Sequence, residues 1–536
     1  MSIFTGLGTA LRLMLRRDWL FWALWVLILA TLMPAALSQY DTMIPPGSDP
    51  GLTFDHLSRN PTMLALLGPA FDLHDRGGFV FWRTGGFTTV LAGLAGALGI
   101  VRATRAEEEA GRTELLRSGP MGRHTPLLAA VLGGLAGCLL AGACNTVTLI
   151  GQGLGWRGSL AAGLAITTTG ASYLALGAVA AQVSESARNA RAWAAGLGLG
   201  GGYLLRAVVD AAGPETPLAP LRWAIPLEWG MLARPFAGER WWVLGMSAGL
   251  AAALALLAFW LEAHRDHTAG LLPDRPGRSR GRAGLRGAWG LAARLLRGML
   301  SAWTVGLLIG AVSLGSAAIG IADVFDDSPR LAQLLQRMGG TAELQTAFFI
   351  GVLGIFSTVI GMMAVSLLGL LRVEETTGRA ELLLATAVPR LKLALSSLFW
   401  ALLVPTLVLT ATGPGLALPL AAHTGDWSLL RDYTVTALAL LPGLWLVAGI
   451  AMFLTGWLPK AFGVVWAILG WSIFCSWFGA LLQVPDWLVK LHPWGRLGMP
   501  PRDDFAWLPF GIELGSAVAL ACLGLLGFIR RDLTNE

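Results

Sequence analysis

The sequence predicts an all-α polytopic membrane protein, with twelve transmembrane helices in two parallel six-helix repeats. Three observations carry that prediction. The 536-residue chain is 55% hydrophobic and only 13% charged, with mean hydropathy +0.62; soluble domains carry roughly 25% charged residues. The apolar residues come in runs of about 20 or more, long enough to cross a hydrocarbon core of roughly 30 Å as helices. One charged twelve-residue phrase also occurs twice, each time after a long hydrophobic run, as two copies of one membrane module joined head to tail would show it. The alternation of a membrane barrel is absent, and only helices then satisfy the backbone within lipid.

The spans follow in order. In the first half they lie near residues 19–37, 79–101, 126–150, 159–183, 193–212 and 241–261. In the second half they lie near residues 303–321, 344–371, 393–416, 433–457, 461–482 and 508–528. The chain thus reads as a first six-helix half over 1–261, a linker over 262–302 and a second half over 303–536. Six is an even number, so both halves begin on the same side and the repeats are parallel.

Charge sets the expected orientation. With the amino terminus inside, about two thirds of the 39 Lys and Arg fall on the cytoplasmic side, as the positive-inside rule requires. That places both termini and both copies of the phrase in the cytoplasm of a plasma-membrane protein. The basic pI near 9.5 then reflects topology and contact with anionic membrane lipid, and no basic patch interleaved with aromatics suggests nucleic acid. A cleaved signal peptide is not expected. Ala36-Leu37-Ser38 is a tolerable cleavage pattern, yet cleavage would remove one span and spoil the symmetry.

Smaller features also recur. Asn60-Pro61 and Ser328-Pro329 each open a short amphipathic stretch with a helix-start signal. Ile225-Pro226-Leu227-Glu228-Trp229-Gly230 and His492-Pro493-Trp494-Gly495 precede the last span of each half. Each half ends on a charged stub, His264-Arg265-Asp266 and Arg530-Arg531-Asp532. The linker holds the run Arg275–Arg282 and an amphipathic stretch near 285–300, read as a solvated tether with a helix lying on the membrane surface, before a docking role for a partner. A similar lead with Arg12, Arg16 and Arg17 precedes the first span. Cys138, Cys144, Cys475 and Cys522 sit in apolar spans without ligand spacing and read as small packing residues. The glycines of 196–202, like the pair Gly133 and Gly137, suit close helix packing. His264-Arg265-Asp266-His267 reads as solvated linker.

The phrase itself is R-A-E-E-E-A-G-R-T-E-L-L at Arg105–Leu116 and R-V-E-E-T-T-G-R-A-E-L-L at Arg372–Leu383, identical at eight of twelve positions. As a continuous helix it places Glu107, Gly111 and Glu114 on one face, and Glu374, Gly378 and Glu381 in the second copy. Glu108 then pairs with Arg112, and Glu375 with Arg379, at i,i+4. The expectation is a short rigid rod with an acidic stripe beside the membrane, shaped to touch something outside it. A loop that merely separates two spans has no reason to repeat so closely.

With these residues the chain resembles the permease subunits of ABC exporters, of the fused twelve-helix actinobacterial type described as exporters of polyketide antibiotics (the tetronasin-resistance type). The two phrases, the linker A-G-L-L-P-D-R-P-G at Ala269–Gly277 and the six-plus-six plan carry the resemblance over nearly the whole chain. It implies that the loop after the second span of each half is a coupling helix docked on a separate ATPase, two copies in all. By resemblance Glu107, Glu108, Gly111, Arg112 and Glu114 serve one copy, and Glu374, Glu375, Gly378, Arg379 and Glu381 the other. Thr376 stands where the first copy has Glu109, so the two faces need not be equivalent. This chain has no phosphate loop of its own. No cofactor is therefore expected in this chain, and ATP and Mg are expected in the partner.

Ionisable residues within spans are functional candidates by default. Arg206 and Asp210, at i,i+4 in the fifth span, read as a structural pair before a substrate contact, while Arg83 and Glu513 near span ends can snorkel. No relay of titrating groups crosses the spans, and an apolar interior suits a hydrophobic or amphipathic small molecule. The alternative is an ion-coupled secondary transporter of the major facilitator type. Its loop motif requires an Asp flanked by Gly and basic residues, where this phrase is dominated by Glu.

Overall fold

The structure, a computed structural model, describes residues 5–38, 61–213, 215–266, 269–272, 287–326, 341–386, 388–478, 485–500 and 505–532, with Tyr40 and Ser58. It is all-helical apart from one isolated bridge, and the chain divides into two compact units, Met1–Gly277 and Arg278–Glu536. Among the described residues twelve helical segments are long and apolar enough to cross a membrane, six in each unit, as the apolar runs predict.

The helices of the first unit are α1 (Leu7–Ser38), α2 (Pro61–Leu67), α3 (Arg76–Ala103), α4 (Arg105–Glu109), α5 (Arg112–Arg117), α6 (Thr125–Gly151), α7 (Trp156–Val183), α8 (Ala187–Arg191), α9 (Gly202–Ala212), α10 (Trp229–Leu232) and α11 (Trp241–His264). Those of the second are α12 (Ala288–Asp326), α13 (Thr341–Thr376), α14 (Arg379–Leu384), α15 (Arg390–Thr424), α16 (Ser428–Ala439), α17 (Leu441–Trp457), α18 (Val464–Phe478), α19 (Asp486–Val489) and α20 (Trp507–Arg530).

Packing within each unit follows one plan. In the first, α7 is the most buried span and meets α3, α6 and α11, while α1 lies against α3 and α6. In the second, α17 meets α13, α15 and α20, while α12 lies against α13 and α15. The pairs are the same, counted by span: first with second and third, fourth with second, third and sixth. Small residues permit the closest of them. A Cβ on Gly142 would collide with the Gly163 carbonyl of α7, and one on Gly456 with the Gly524 carbonyl of α20. Hydrophobic burial gives no drive between helices in lipid, so such close backbone approach and buried hydrogen bonds hold the bundle. Asn145 Nδ2 donates to the Leu29 carbonyl at 3.2 Å, Ser172 Oγ to the Ser247 carbonyl at 3.0 Å, and Trp445 Nε1 to Thr406 Oγ1 at 2.8 Å.

Three local expectations change. The amphipathic stretch before the second half is the start of α12 itself, an unbroken 39-residue helix about 58 Å long; the lead of the first half likewise belongs to α1. Glycines 196–202 serve close packing only in part. Residues Ala192–Gly201 form a π-helix. A Cβ on Gly198 would come 2.6 Å from Leu176 of α7 and one on Gly202 3.3 Å from the Tyr173 hydroxyl, whereas Gly196 meets nothing within 4 Å, and Gly200 and Gly201 meet only atoms of their own segment. Four glycines in ten residues weaken the α-helix and let the wider turn form. Gly133 and Gly137 do pack closely, against Met14 and Trp22. Of the cysteines, Cys138 is buried and Cys522 is exposed, so the packing reading fails for the latter. The stretch beginning Ser328-Pro329, the run Arg275–Arg282, His267 and the cap Asn60 lie outside the described residues, although α2 begins at Pro61.

Candidate functional site

Both copies of the phrase fold as an elbow. In the first, α4 ends at Glu109 and α5 begins at Arg112, with Gly111 at φ 70°. In the second, α13 ends at Thr376 and α14 begins at Arg379, with Gly378 at φ 72°. Neither glycine has any atom within 4 Å of the place a Cβ would take. Space is therefore not the reason for glycine; the left-handed backbone is, since L-residues reach it only at a cost. The rod expected from helical spacing is thus a correction: Glu107, Gly111 and Glu114 share no single helix face, and neither do Glu374, Gly378 and Glu381.

The kink changes the ion pairs too. Arg112 pairs with Glu107, its Nη2 2.8 Å from Oε1 and its Nε 2.9 Å from Oε2, and not with Glu108. That pairing holds the exposed Arg112 guanidinium above its ordinary pKa. Glu107 also meets Arg17 of α1 at 2.7 Å. In the second copy Arg379 lies 3.5 Å from Glu374, and not beside Glu375. Glu109 accepts from the Ala187 N–H at 2.7 Å and so ties the first elbow to the start of α8. Thr376, in its place, turns back to the Arg372 carbonyl.

The second glutamate of each phrase points inward, onto an arginine at the end of the sixth span. Glu108 Oε1 accepts from Arg265 Nη2 at 2.6 Å and Oε2 from Arg105 Nη1 at 2.6 Å. Glu375 Oε2 accepts from Arg531 Nη2 at 2.6 Å, with Arg531 Nη1 on its other oxygen. Arg265 and Arg531 are the residues that cap α11 and α20, where the backbone leaves the helix extended. A cation at a helix carboxyl end is also favoured by the helix dipole. A third arginine steadies each end: Arg123 Nη2 donates to the Glu262 and Ala263 carbonyls at 3.1 and 3.0 Å, and Arg390 Nη1 to the Arg531 carbonyl at 2.7 Å.

Sequence reasoning missed this part. It read Arg265 within solvated linker, whereas the residue is buried, and it passed over Arg123 and Arg390. A signal was present: both stand eighteen residues after the phrase's first arginine.

Each elbow therefore has a buried root and an exposed tip. Glu114 and Glu381 are exposed, and Leu382 is 73% exposed. Beside the second tip, Glu381, Leu384, Val388, Arg390 and Asp532 line an open cleft of about 640 Å³.

At the other end of the first unit, Arg206 and Asp210 do pair, at 3.6 Å, inside a larger cluster. Arg206 lies 3.7 Å from Glu228, and Arg222 lies 3.2 Å from Asp210. Arg206 Nη2 also donates to the Ala65 and Leu66 carbonyls at 3.2 and 3.0 Å, closing the last turn of α2. Burial pushes the Glu228 carboxyl up to about 8, against the pull of Arg206. Glu513, expected to snorkel, is buried on α20 instead, while Arg83 is half-buried. Among the described residues no group of three His, Cys, Asp or Glu could hold a metal ion.

Residues 285–529 match the family described as "Multidrug efflux system permease Rv1217c, C-terminal domain". The chain is also 37% identical over 538 residues to the "Multidrug efflux system permease protein Rv1217c" of Mycobacterium tuberculosis (strain ATCC 25618 / H37Rv), across 99% of this chain and 96% of that protein. Full-length similarity at this level, with twelve candidate spans in two units of one packing plan, places the chain in the family of multidrug efflux permeases.

Proposed function

We propose that this permease is the membrane subunit of an ATP-driven ABC exporter that moves hydrophobic or amphipathic small molecules out of the cell. Two copies of a separate ATPase bind it, one at each elbow, and supply the ATP and Mg sites. The observation that carries this reading is the repeated elbow, rooted by Glu108–Arg265 and Glu375–Arg531 and exposed at Glu114 and Glu381. Force on an exposed tip reaches the end of the sixth span through a buried ion pair only a few ångströms long. Tilting of both spans together would carry the halves from inward- to outward-open. The chain itself breaks no bond.

In this reading both termini and both elbows are cytoplasmic, the membrane is the plasma membrane, and Trp19, Trp241 and Trp242, all exposed, sit at its interfaces. Polyketide antibiotics are the cargo that the resemblance implies, and multidrug export is what the mycobacterial relative's name states of that relative.

The test is co-purification from native membranes. Wild-type chain is expected to retain a stoichiometric ATPase, lost when Glu114→Lys and Glu381→Lys are combined. Wild-type chain purified alone, without ATP hydrolysis, would turn the reading towards ion coupling.

A further inference from the structure

The two elbows differ in what completes them. In the first, residues Ala269–Leu272 of the linker lie across the root as a strap. Leu271 and Leu272 donate to the Gln182 and Val183 carbonyls at 3.3 and 3.0 Å, beside the bridge between Ser184 and Leu272. The Ala269 carbonyl accepts from Arg105 Nη2 at 3.1 Å and from Arg265 Nη1 at 3.0 Å. Arg105 takes a further acceptor, the Ser184 carbonyl, with Nε at 2.6 Å. Every donor group of that guanidinium thus faces an oxygen, and the residue is only 1% exposed. Gly270 permits the fit, since a Cβ there would come 2.6 Å from the Glu185 nitrogen.

Arg372 is the first arginine of the second phrase and the counterpart of Arg105. Arg372 is half-buried, and among the described residues its buried Nη1 has no hydrogen-bond partner. Leaving such a shielded, charged donor unpaired is costly, and native structures seldom tolerate it without an external partner.

We infer that the second elbow is completed by an acceptor oxygen of the docked ATPase at Arg372, in the place that the chain's own linker fills at Arg105. This rests on the reading that the elbows dock ATPases, and it adds that the two docking sites are unequal. The first is closed by its own strap and offers only its tip. The second offers its tip and an unfilled donor at its root. The A-G-L-L segment is then a built-in substitute for one of the two partner contacts.

Two measurements on the full-length chain test this. On the chain alone in detergent, Arg105→Ala should lower the melting temperature, whereas Arg372→Ala should leave it unchanged or raise it. On the complex with its ATPase, Arg372→Ala should weaken retention of the ATPase at least tenfold. Arg372→Ala chain that melts lower without partner would overturn the inference, because the guanidinium would then be satisfied within the chain. So would ATPase retention equal to wild type. If wild-type chain retains no ATPase at all, the exporter reading fails as well; if wild type retains it and Arg372→Ala does too, only the inference fails.

Discussion

Glu108→Ala is expected to destabilise the purified chain by about 3–5 kcal/mol, the usual cost of removing one partner from a buried ion pair. The carboxylate stands between two guanidiniums, Arg105 at 2.6 Å and Arg265 at 2.6 Å, and both are buried. Without it, two buried cations lose the carboxylate they share. Glu375→Ala should cost less, because its single partner Arg531 keeps 15% of its side chain in solvent. Glu114→Ala, at the exposed tip, should change stability by no more than about 0.5 kcal/mol. Unfolding in detergent, followed by loss of helical signal, ranks the three. Equal stability of Glu108→Ala and Glu114→Ala would show that the elbow is not rooted where its ion pairs place it.

Arg206→Leu should be about as damaging, again about 3–5 kcal/mol. It leaves Asp210 and Glu228 buried with Arg222 as their one nearby cation, and it frees the Ala65 and Leu66 carbonyls at the end of α2. The effect should fall on stability and expression, with the range of compounds exported unchanged; a shifted range at normal expression would make the cluster part of the pathway. The same cluster gives a pH dependence of defined sign. Glu228 titrates near 8 in the folded chain against 4.5 ordinarily. Between those values the folded state keeps a proton that the unfolded state has lost. Its contribution is therefore fully present below about 4.5 and is lost as pH rises through about 8. Glu228→Gln should flatten that fall.

How much of this was legible depended on the range of the interaction. Span positions follow from local composition, since about 20 apolar residues in a row have no other stable place. The repeat was legible because both copies keep Gly111 and Gly378, Glu108 and Glu375, and the arginines around them. The roles within the phrase were not. Helical spacing assigned Arg112 to Glu108, but one residue in the left-handed region rotates everything after it and delivers Arg112 to Glu107. Of the two partners of Glu108, Arg105 is three residues away, but Arg265 lies 157 residues away, beyond the reach of any periodicity. The π-helix at Ala192–Gly201 was not foreseen because glycine both permits close packing, as at Gly198 against Leu176, and weakens the α-helix, and composition alone does not separate the two. Arg206 and Asp210 were found at i,i+4, while Glu228 and Arg222 reach them only through the turn that follows α9.

In the proposed mechanism, ATP hydrolysed by a partner drives export through the two elbows. Inside-out membrane vesicles carrying the chain and its ATPase, with ethidium as the probe, test it directly. Uptake should require MgATP, persist when the proton gradient is collapsed, and vanish in Glu114→Lys/Glu381→Lys chain that still melts at the wild-type temperature. Uptake driven by an imposed proton gradient without ATP, and unaffected by the double reversal, would contradict it.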